Sequence, residues 1–246
     1  MDFGLSTMDM TAADAWGQLV ATLADHGFGR CLYGYVPDRA RLRSDEAVQD
    51  VMTFMTTYDE EFLTMYRRHQ VHLHCASVTY VTQEEAPTLM APIIAANLIA
   101  EPLPQIYRDW LRRYNQRTNA FDGVLVPLRG PVYCAIGGAS TLVEPSMDAA
   151  EASRHARRHL GIVGELINIF HQNLEFSSLL PLERHLTPRE AEILRWLAEG
   201  LLTKQIAART GTSVSTIEKQ LSSARRRLAA GNNTNLLLKA MAYDLL

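Results

Sequence analysis

Leu186-Thr-Pro-Arg-Glu190 opens a stretch that runs through Lys204-Gln-Ile-Ala207, Gly211-Thr-Ser-Val-Ser-Thr-Ile217 and Arg226-Arg-Leu228. Its punctuation decides the fold of the second half of this chain. Thr187 reads as a helix N-cap, Pro188 as the first helical residue and Glu190 as the reciprocal partner of a capping box. Ile193, Leu194, Leu197 and Ala198 then form one apolar stripe that ends at Gly200. Thr203 can cap a short helix containing Ile206 and Ala207, which stops at Gly211. Ser213 can cap a third helix, with Val214, Ile217, Leu221, Ala224 and Leu228 facing inward. Gly231-Asn232-Asn233 breaks the chain, and Leu236 to Leu246 reads as a fourth helix. A short helix, a turn at Gly211 and a longer helix make a helix-turn-helix pattern. The outer surface of the third helix carries Thr216, Glu218, Lys219, Ser222, Arg225 and Arg226. A helix of that polarity fits the major groove of duplex DNA, with cationic ends for phosphates. The same surface also suits the solvated side of a small protein-binding bundle.

Working outward, the segment from Phe176 to His185 separates this region from the rest and reads as a partly apolar linker, so residues 1–175, 176–185 and 186–246 are the expected divisions. Ten Lys/Arg against six Asp/Glu from Pro181 to Leu246 give the tail +4, whereas the remainder carries −7. An acidic body with a basic tail points to an anionic partner for the tail. The 246 residues are 47% hydrophobic and 21% charged, which excludes a disordered or low-complexity chain. The richest apolar run, Ala91 to Ala100, is too short to span a bilayer. Met1-Asp-Phe-Gly-Leu5 lacks the basic start and apolar core of a secretion signal. Three scattered cysteines do not make a disulfide framework. The expectation is a cytoplasmic protein without membrane contact.

Before the linker, helical and strand-like patterns alternate. Thr11–Asp25, Glu60–His69, Leu103–Asn115 (with Ile106, Trp110 and Tyr114 spaced by four) and Met147–Leu174 read as helices. Arg30–Pro37, Gly123–Leu128 and Val132–Ala139 read as strands, and Val71–Val81 as extended chain. Helices around antiparallel strands predict an α+β fold: an α-β-α sandwich with a central antiparallel sheet, followed by an all-α four-helix helix-turn-helix domain.

The tail motifs resemble the DNA-binding domain of the LuxR family over its whole length. The resemblance implies a domain that binds double-stranded DNA as a homodimer. It places base-facing positions on Glu218, Lys219 and Ser222, where several relatives carry Lys or Arg at two of the three. Glu218 can accept from cytosine, and phosphate contacts are expected from Thr203, Lys204, Thr216, Arg225 and Arg226.

Of the family's two common front ends, a phosphoacceptor receiver lacks support, since the candidate strand Cys31–Val36 ends in Pro37 and leaves Asp38 in a loop. The acyl-homoserine-lactone-binding domain of quorum-sensing regulators fits better in length and element order. Tyr58-Asp-Glu-Glu-Phe62-Leu-Thr-Met-Tyr66 resembles its Tyr-Pro-x-x-Trp-x-x-x-Tyr motif, and Ala120-Phe-Asp-Gly123-Val-Leu-Val-Pro127-Leu resembles its Phe-Gly-x-x-Gly-x-x-x-Pro-Leu motif. The resemblance implies sensing and dimerisation, with a ligand pocket between sheet and helices. Counted without gaps, the family's pocket Trp falls on Phe62, its Asp on Cys75 and a second Trp on Met90. Phe62 has no N–H to donate and a neutral thiol is a weak acceptor. Losing both anchors weakens a typical acyl-homoserine lactone by about two to four decades. The expected lining (Tyr58, Phe62, Tyr66, Cys75, Met90, Tyr33, Tyr35, Leu125 and Ala139) suits a less polar small signal molecule, or a collapsed core with no ligand.

Three other readings stand beside this one. The front region can be a protein-interaction module that titrates another regulator, with little DNA binding of its own. His69, His72, His74 and Cys75 suit soft metals by residue type, yet four ligands at that spacing do not converge from one strand. A redox role for Cys31, Cys75 or Cys134 requires a lowered thiol pKa and exposure. No cofactor or metal is expected. Gly137-Gly138 lacks the Lys-Ser/Thr of a phosphate loop, and no nucleophile–base set is apparent, so enzyme activity is not expected.

Overall fold

The structure, a computed structural model, describes residues 11–37, 52–73, 76–99, 104–118, 122–130, 133–141, 148–180 and 182–246. They fall into two compact units that divide between Leu174 and Glu175.

The first unit opens with α1 (Ala12–Asp25), whose N-cap Thr11 and Asp14 cap each other's backbone N–H. There follow β1 (Phe28–Val36), β2 (Thr53–Thr56), α2 (Glu60–Arg68), a 3-10 turn (Val71–Leu73), α3 (Ala76–Gln83), β3 (Thr88–Leu89) and α4 (Met90–Ile99). Then come α5 (Gln105–Thr118), β4 (Gly123–Arg129), β5 (Cys134–Thr141) and the long α6 (Ala149–Gln172). The strands form one sheet in the order β2-β1-β5-β4-β3, every neighbouring pair antiparallel. α1 and α6 pack on one face, and α3 and α4 on the other. α2 joins the core of that second side through Phe62, which meets the α5 rings Trp110 and Tyr114. This is the expected α-β-α sandwich with an antiparallel centre.

Local expectations fail where β-branched residues mimic a strand. The described residues of the stretch Val71–Val81 are not extended: Val71–Leu73 form the 3-10 turn and residues 76–81 begin α3, which buries Val78 and Val81 at helical spacing. In α5 the inward face is Tyr107, Trp110, Leu111 and Tyr114, whereas Ile106 is exposed.

Because β1 and β5 are buried on both sides, successive residues serve opposite faces. Gly137 lies under α6: a Cβ there would come 2.2 Å from Ile167 Cγ2. Gly138 lies on the other face, where a Cβ would come 3.2 Å from Met90 Cε. Across the ladder, Tyr33 pairs with Gly137 and Leu32 with Gly138. On the α6 face, the Tyr33 ring lies 5.1 Å from Phe170, and the hydroxyls of Tyr33 and Tyr133 reach the two ring nitrogens of His171 at 2.8 and 3.2 Å.

In the second unit, two 3-10 turns (Phe176–Leu179 and Leu182–Arg184) precede α7 (Pro188–Ala198), α8 (Thr203–Thr210), α9 (Val214–Arg227) and α10 (Asn233–Ala242). The capping box at Thr187 and Glu190 forms as read, with Pro188 in the first turn. Glu190 is buried, and its Oε2 lies 3.2 Å from Arg227 Nε in α9. Burial pushes its carboxyl up, yet the hydrogen bonds from Thr187 and Ser223 and the Arg227 charge outweigh that and hold it below the usual range. Gly211 closes α8 in the left-handed region at φ 63°, a conformation costly for a side chain. Ile193, Leu194, Ile206, Ile217, Leu221, Ala224 and Leu236 form the core. Lys239 of α10 is buried, its Nζ donating to Leu228 O at 3.0 Å and Ala229 O at 2.7 Å at the end of α9.

His171 makes the first unit acid-sensitive. Burial favours its neutral form and lowers its pKa from 6.5 to about 4. Below pH 6.5 the unfolded chain therefore binds a proton that the folded chain refuses. The stability tied to this group is complete above pH 6.5 and is lost as pH falls toward 4, by about 3 kcal/mol. Urea unfolding of His171→Gln should show a flatter dependence in that window than the wild type; equal slopes would exclude this role.

Candidate functional site

Two sites emerge, one in each unit. The first is a cavity between the sheet and the helices α2 to α5. Leu32, Ile136, Gly138 and Leu125 form its sheet side, while Tyr58, Phe62 and Tyr66 come from α2 and the residues before it. Met52, Phe54, Val71, Ser77, Val78, Met90, Ile94, Tyr107 and Leu111 complete it. Its volume is about 80 Å³, where a single water needs about 10–15 Å³. None of these lining residues is charged. Met52 and Met90 are unbranched and can re-pack around a larger guest.

α2 presents its aromatic row because Asp59 caps it: Asp59 Oδ1 accepts from Phe62 N–H at 2.9 Å. Tyr58, Phe62 and Tyr66 then stand at four-residue spacing, with ring centroids 4.6 and 6.0 Å apart. Tyr58 donates to or accepts from Ser140 Oγ at 2.9 Å, and burial pushes its phenol up to about 12. The nearest indole is already engaged: Trp110 Nε1 donates to Glu61 Oε1 at 2.9 Å, and Tyr114 donates to Asp59 Oδ2 at 2.8 Å. The acidic residues of α2 thus fasten α5, and Trp110 does not line the cavity.

Of the residues expected in the pocket, Tyr58, Phe62, Tyr66, Met90 and Leu125 come together. Tyr33, Tyr35 and Ala139 do not. Tyr33 packs on Phe170, Tyr35 packs on Tyr133, and Ala139 shares the face of Gly137, because a side chain two positions along a strand returns to the same side. Cys75 lies outside the described residues, as does His74. Leu32 and Ile136 were the missed counterparts; strict alternation from Gly138 would have found them. Cys31 and Cys134 are both buried, and burial pushes the Cys31 thiol up to about 12, opposite to a reactive thiolate.

The second site is the outer face of α9. Thr216, Glu218, Lys219, Ser222 and Arg226 are exposed, and Lys204 of α8 is exposed as well. Arg225 is half-buried and donates to Asn233 Oδ1, which ties α9 to α10. Thr203 is not the cap of α8; Leu202 takes that position and Thr203 is half-buried in the first turn. Val214, expected to face inward, is 39% exposed instead. Ser213 caps α9 as read, its Oγ accepting from Thr216 N–H at 3.1 Å.

Residues 11–174 match the autoinducer binding domain, and residues 184–240 match the luxR family of bacterial regulatory proteins. The chain is similar to the transcriptional regulatory protein RcsB of Escherichia coli, at 40% identity over 55 residues, 22% of this chain and 26% of that one. It is also similar to the HTH-type quorum sensing-dependent transcriptional regulator RpaR of Rhodopseudomonas palustris, at 30% identity over 51% of this chain and 49% of that one. The chain thus spans about a quarter to a half of the length of these relatives. Among solved structures, SdiA of Escherichia coli aligns over 99% of this chain and 94% of its own, with a TM-score of 0.51 and 14% identity, a likeness of fold.

The cavity gives a direct mutational test. Phe62→Ala adds about the volume of a phenyl ring to it and should cost about 3–5 kcal/mol in urea unfolding. Benzene should then raise the thermal midpoint of the variant more than that of the wild type. A midpoint indifferent to benzene would mean that the lining collapses into the freed space.

Proposed function

The chain belongs to the LuxR family of quorum-sensing transcriptional regulators, with an autoinducer-binding domain and a helix-turn-helix domain, and from that premise we propose that it works as a cytoplasmic homodimer on double-stranded DNA, gated by a neutral, apolar small molecule. Residues 1–175 sense and dimerise, 176–185 link, and 186–246 bind DNA. The reading assigns the chain no catalysis, metal or cofactor. Among the described residues no helix is long and apolar enough to cross a membrane.

The observation that carries the ligand class is the make-up of the cavity. Phe62 occupies its α2 wall without a donor, the Trp110 N–H is held by Glu61, and the lining is uncharged. A lactone headgroup buried there would meet no indole N–H or carboxylate among these lining residues, only the hydroxyls of Tyr58, Tyr66, Ser77 and Tyr107, and each of its polar groups left unsatisfied costs about 1–3 kcal/mol. An apolar guest loses nothing by that arrangement. Such a ligand acts on DNA binding only through its different affinity for the two states of the dimer.

On α9, Lys219 is proposed to face base edges beside Glu218 and Ser222, with Arg226 and Lys204 on phosphates. The exposed stripe of α6 is polar, with Arg157, Arg158, Glu165 and Gln172, so dimerisation through that helix would rest on charge and hydrogen bonding. Glu218 on the exposed face favours the second reading, in which the protein titrates another regulator and binds DNA weakly.

Mass spectrometry of small molecules carried through native purification should find a neutral, poorly polar compound at near one per chain. Phe62→Trp combined with Cys75→Asp should raise acyl-homoserine-lactone affinity by at least tenfold in calorimetry; no gain would count against the donor argument. In gel shifts the wild type should lose affinity steeply between about 50 and 200 mM salt. Lys219→Ala should weaken binding and alter sequence preference, and Arg226→Ala should weaken it evenly. Failure to bind any genomic fragment at low salt would favour the titration reading.

A further inference from the structure

Val214 breaks the local rules of the helix it begins. The inward residues of α9 are Ile217, Leu221 and Ala224, all fully buried, whereas Val214 is 39% exposed. A β-branched side chain is a weak helix former, and this one leaves 39% of its surface open to an external contact. The helix does not need it as a start signal, because Ser213 already caps the first turn. An apolar side chain left partly open on the otherwise polar outer face of a helix is a candidate for an external contact.

Its neighbours indicate which contact. Val214, Glu218, Ser222 and Arg226 follow one another at four-residue spacing, and all four are exposed. Residues so spaced form one ridge of an α-helix. The ridge is apolar at its first position, acidic at the second, a hydroxyl at the third and cationic at the last. In the major groove only thymine offers an apolar edge, its C5-methyl, and only cytosine and adenine offer an amino donor to a carboxylate. The first residues of a recognition helix are the ones that meet base edges.

We infer that Val214 is a specificity-determining residue that packs its two methyl groups on the C5-methyl of a thymine, while Glu218 one turn later accepts from the amino group of a cytosine. This deepens the reading of α9 as the groove helix and rests on it. With 1.5 Å rise per residue the two side chains stand about 6 Å apart along α9, close to two steps of the 3.4 Å base stack. Each half-site should therefore hold a thymine within about two base pairs of a cytosine, the separation shrinking as α9 tilts away from the duplex axis.

Selection from random duplexes by the full-length protein, followed by replacement of single thymines with deoxyuridine, tests this without disturbing the protein. The wild type should enrich a thymine at that spacing. Removing its methyl should weaken binding by about three- to tenfold. Val214→Ala should bind the thymine and deoxyuridine duplexes within twofold of each other and match the wild type on the deoxyuridine duplex. A selected site whose affinity ignores the methyl, or a Val214→Ala protein that keeps the full deoxyuridine penalty, overturns the assignment while leaving DNA binding intact. Enrichment of no duplex overturns the groove reading as well.

Discussion

The first unit depends on a sheet that is covered on both sides by unequal fillings. On the α6 side, two tyrosines from β1 fill the space above glycine and alanine on β5, and Ile167 drops onto Gly137 with no room for another carbon. On the other side, the alternate positions of the same strands are Leu32, Gly34, Ile136 and Gly138, and aromatic rings from α2 and α5 pack on one another beside the cavity. One face is therefore closed and the other retains a void. Dense packing is the default for a protein interior, and the void lies where Leu32, Gly34 and Gly138 leave the sheet surface low, whereas on the other face the tyrosines of β1 fill the space over the small residues of β5.

That division explains what could be read from residues alone. The starts of α7 and α9 were legible because they are chemical: a hydroxyl, three residues, and an N–H to satisfy, at Thr187 and Ser213, whereas the cap read at Thr203 falls one residue earlier, on Leu202. The helix-turn-helix order followed from those starts and from Gly211. The side of the sheet on which Tyr33 and Tyr35 fall was not legible. Arg30 to Val36 is apolar in both phases of a two-residue period, so alternation defines two sets without saying which faces the helices of the cavity. The missing information is long-range: it lies in Gly137 and Gly138, 104 and 106 residues after Tyr33 and Leu32 by chain number. In the same way, Val71–Val81 carries strand-like composition, and only packing against the sheet makes part of it helical.

The departures from the family pattern gain physical content from the structure. Phe62 completes the aromatic row by meeting Tyr58, Tyr66, Trp110 and Tyr114, and it offers the cavity no hydrogen-bond donor. Trp110 does not supply one, because Glu61 claims its N–H in holding α5 to α2.

Lys239 deserves a last consequence. Its ammonium sits inside the second unit against the carbonyls that end α9, where a cation also complements the negative end of the helix dipole. Those two bonds tie α10 to the end of α9. Acylation of that amine would remove the charge that faces the end of α9 and force an acyl chain into an enclosed site, so the folded unit disfavours it.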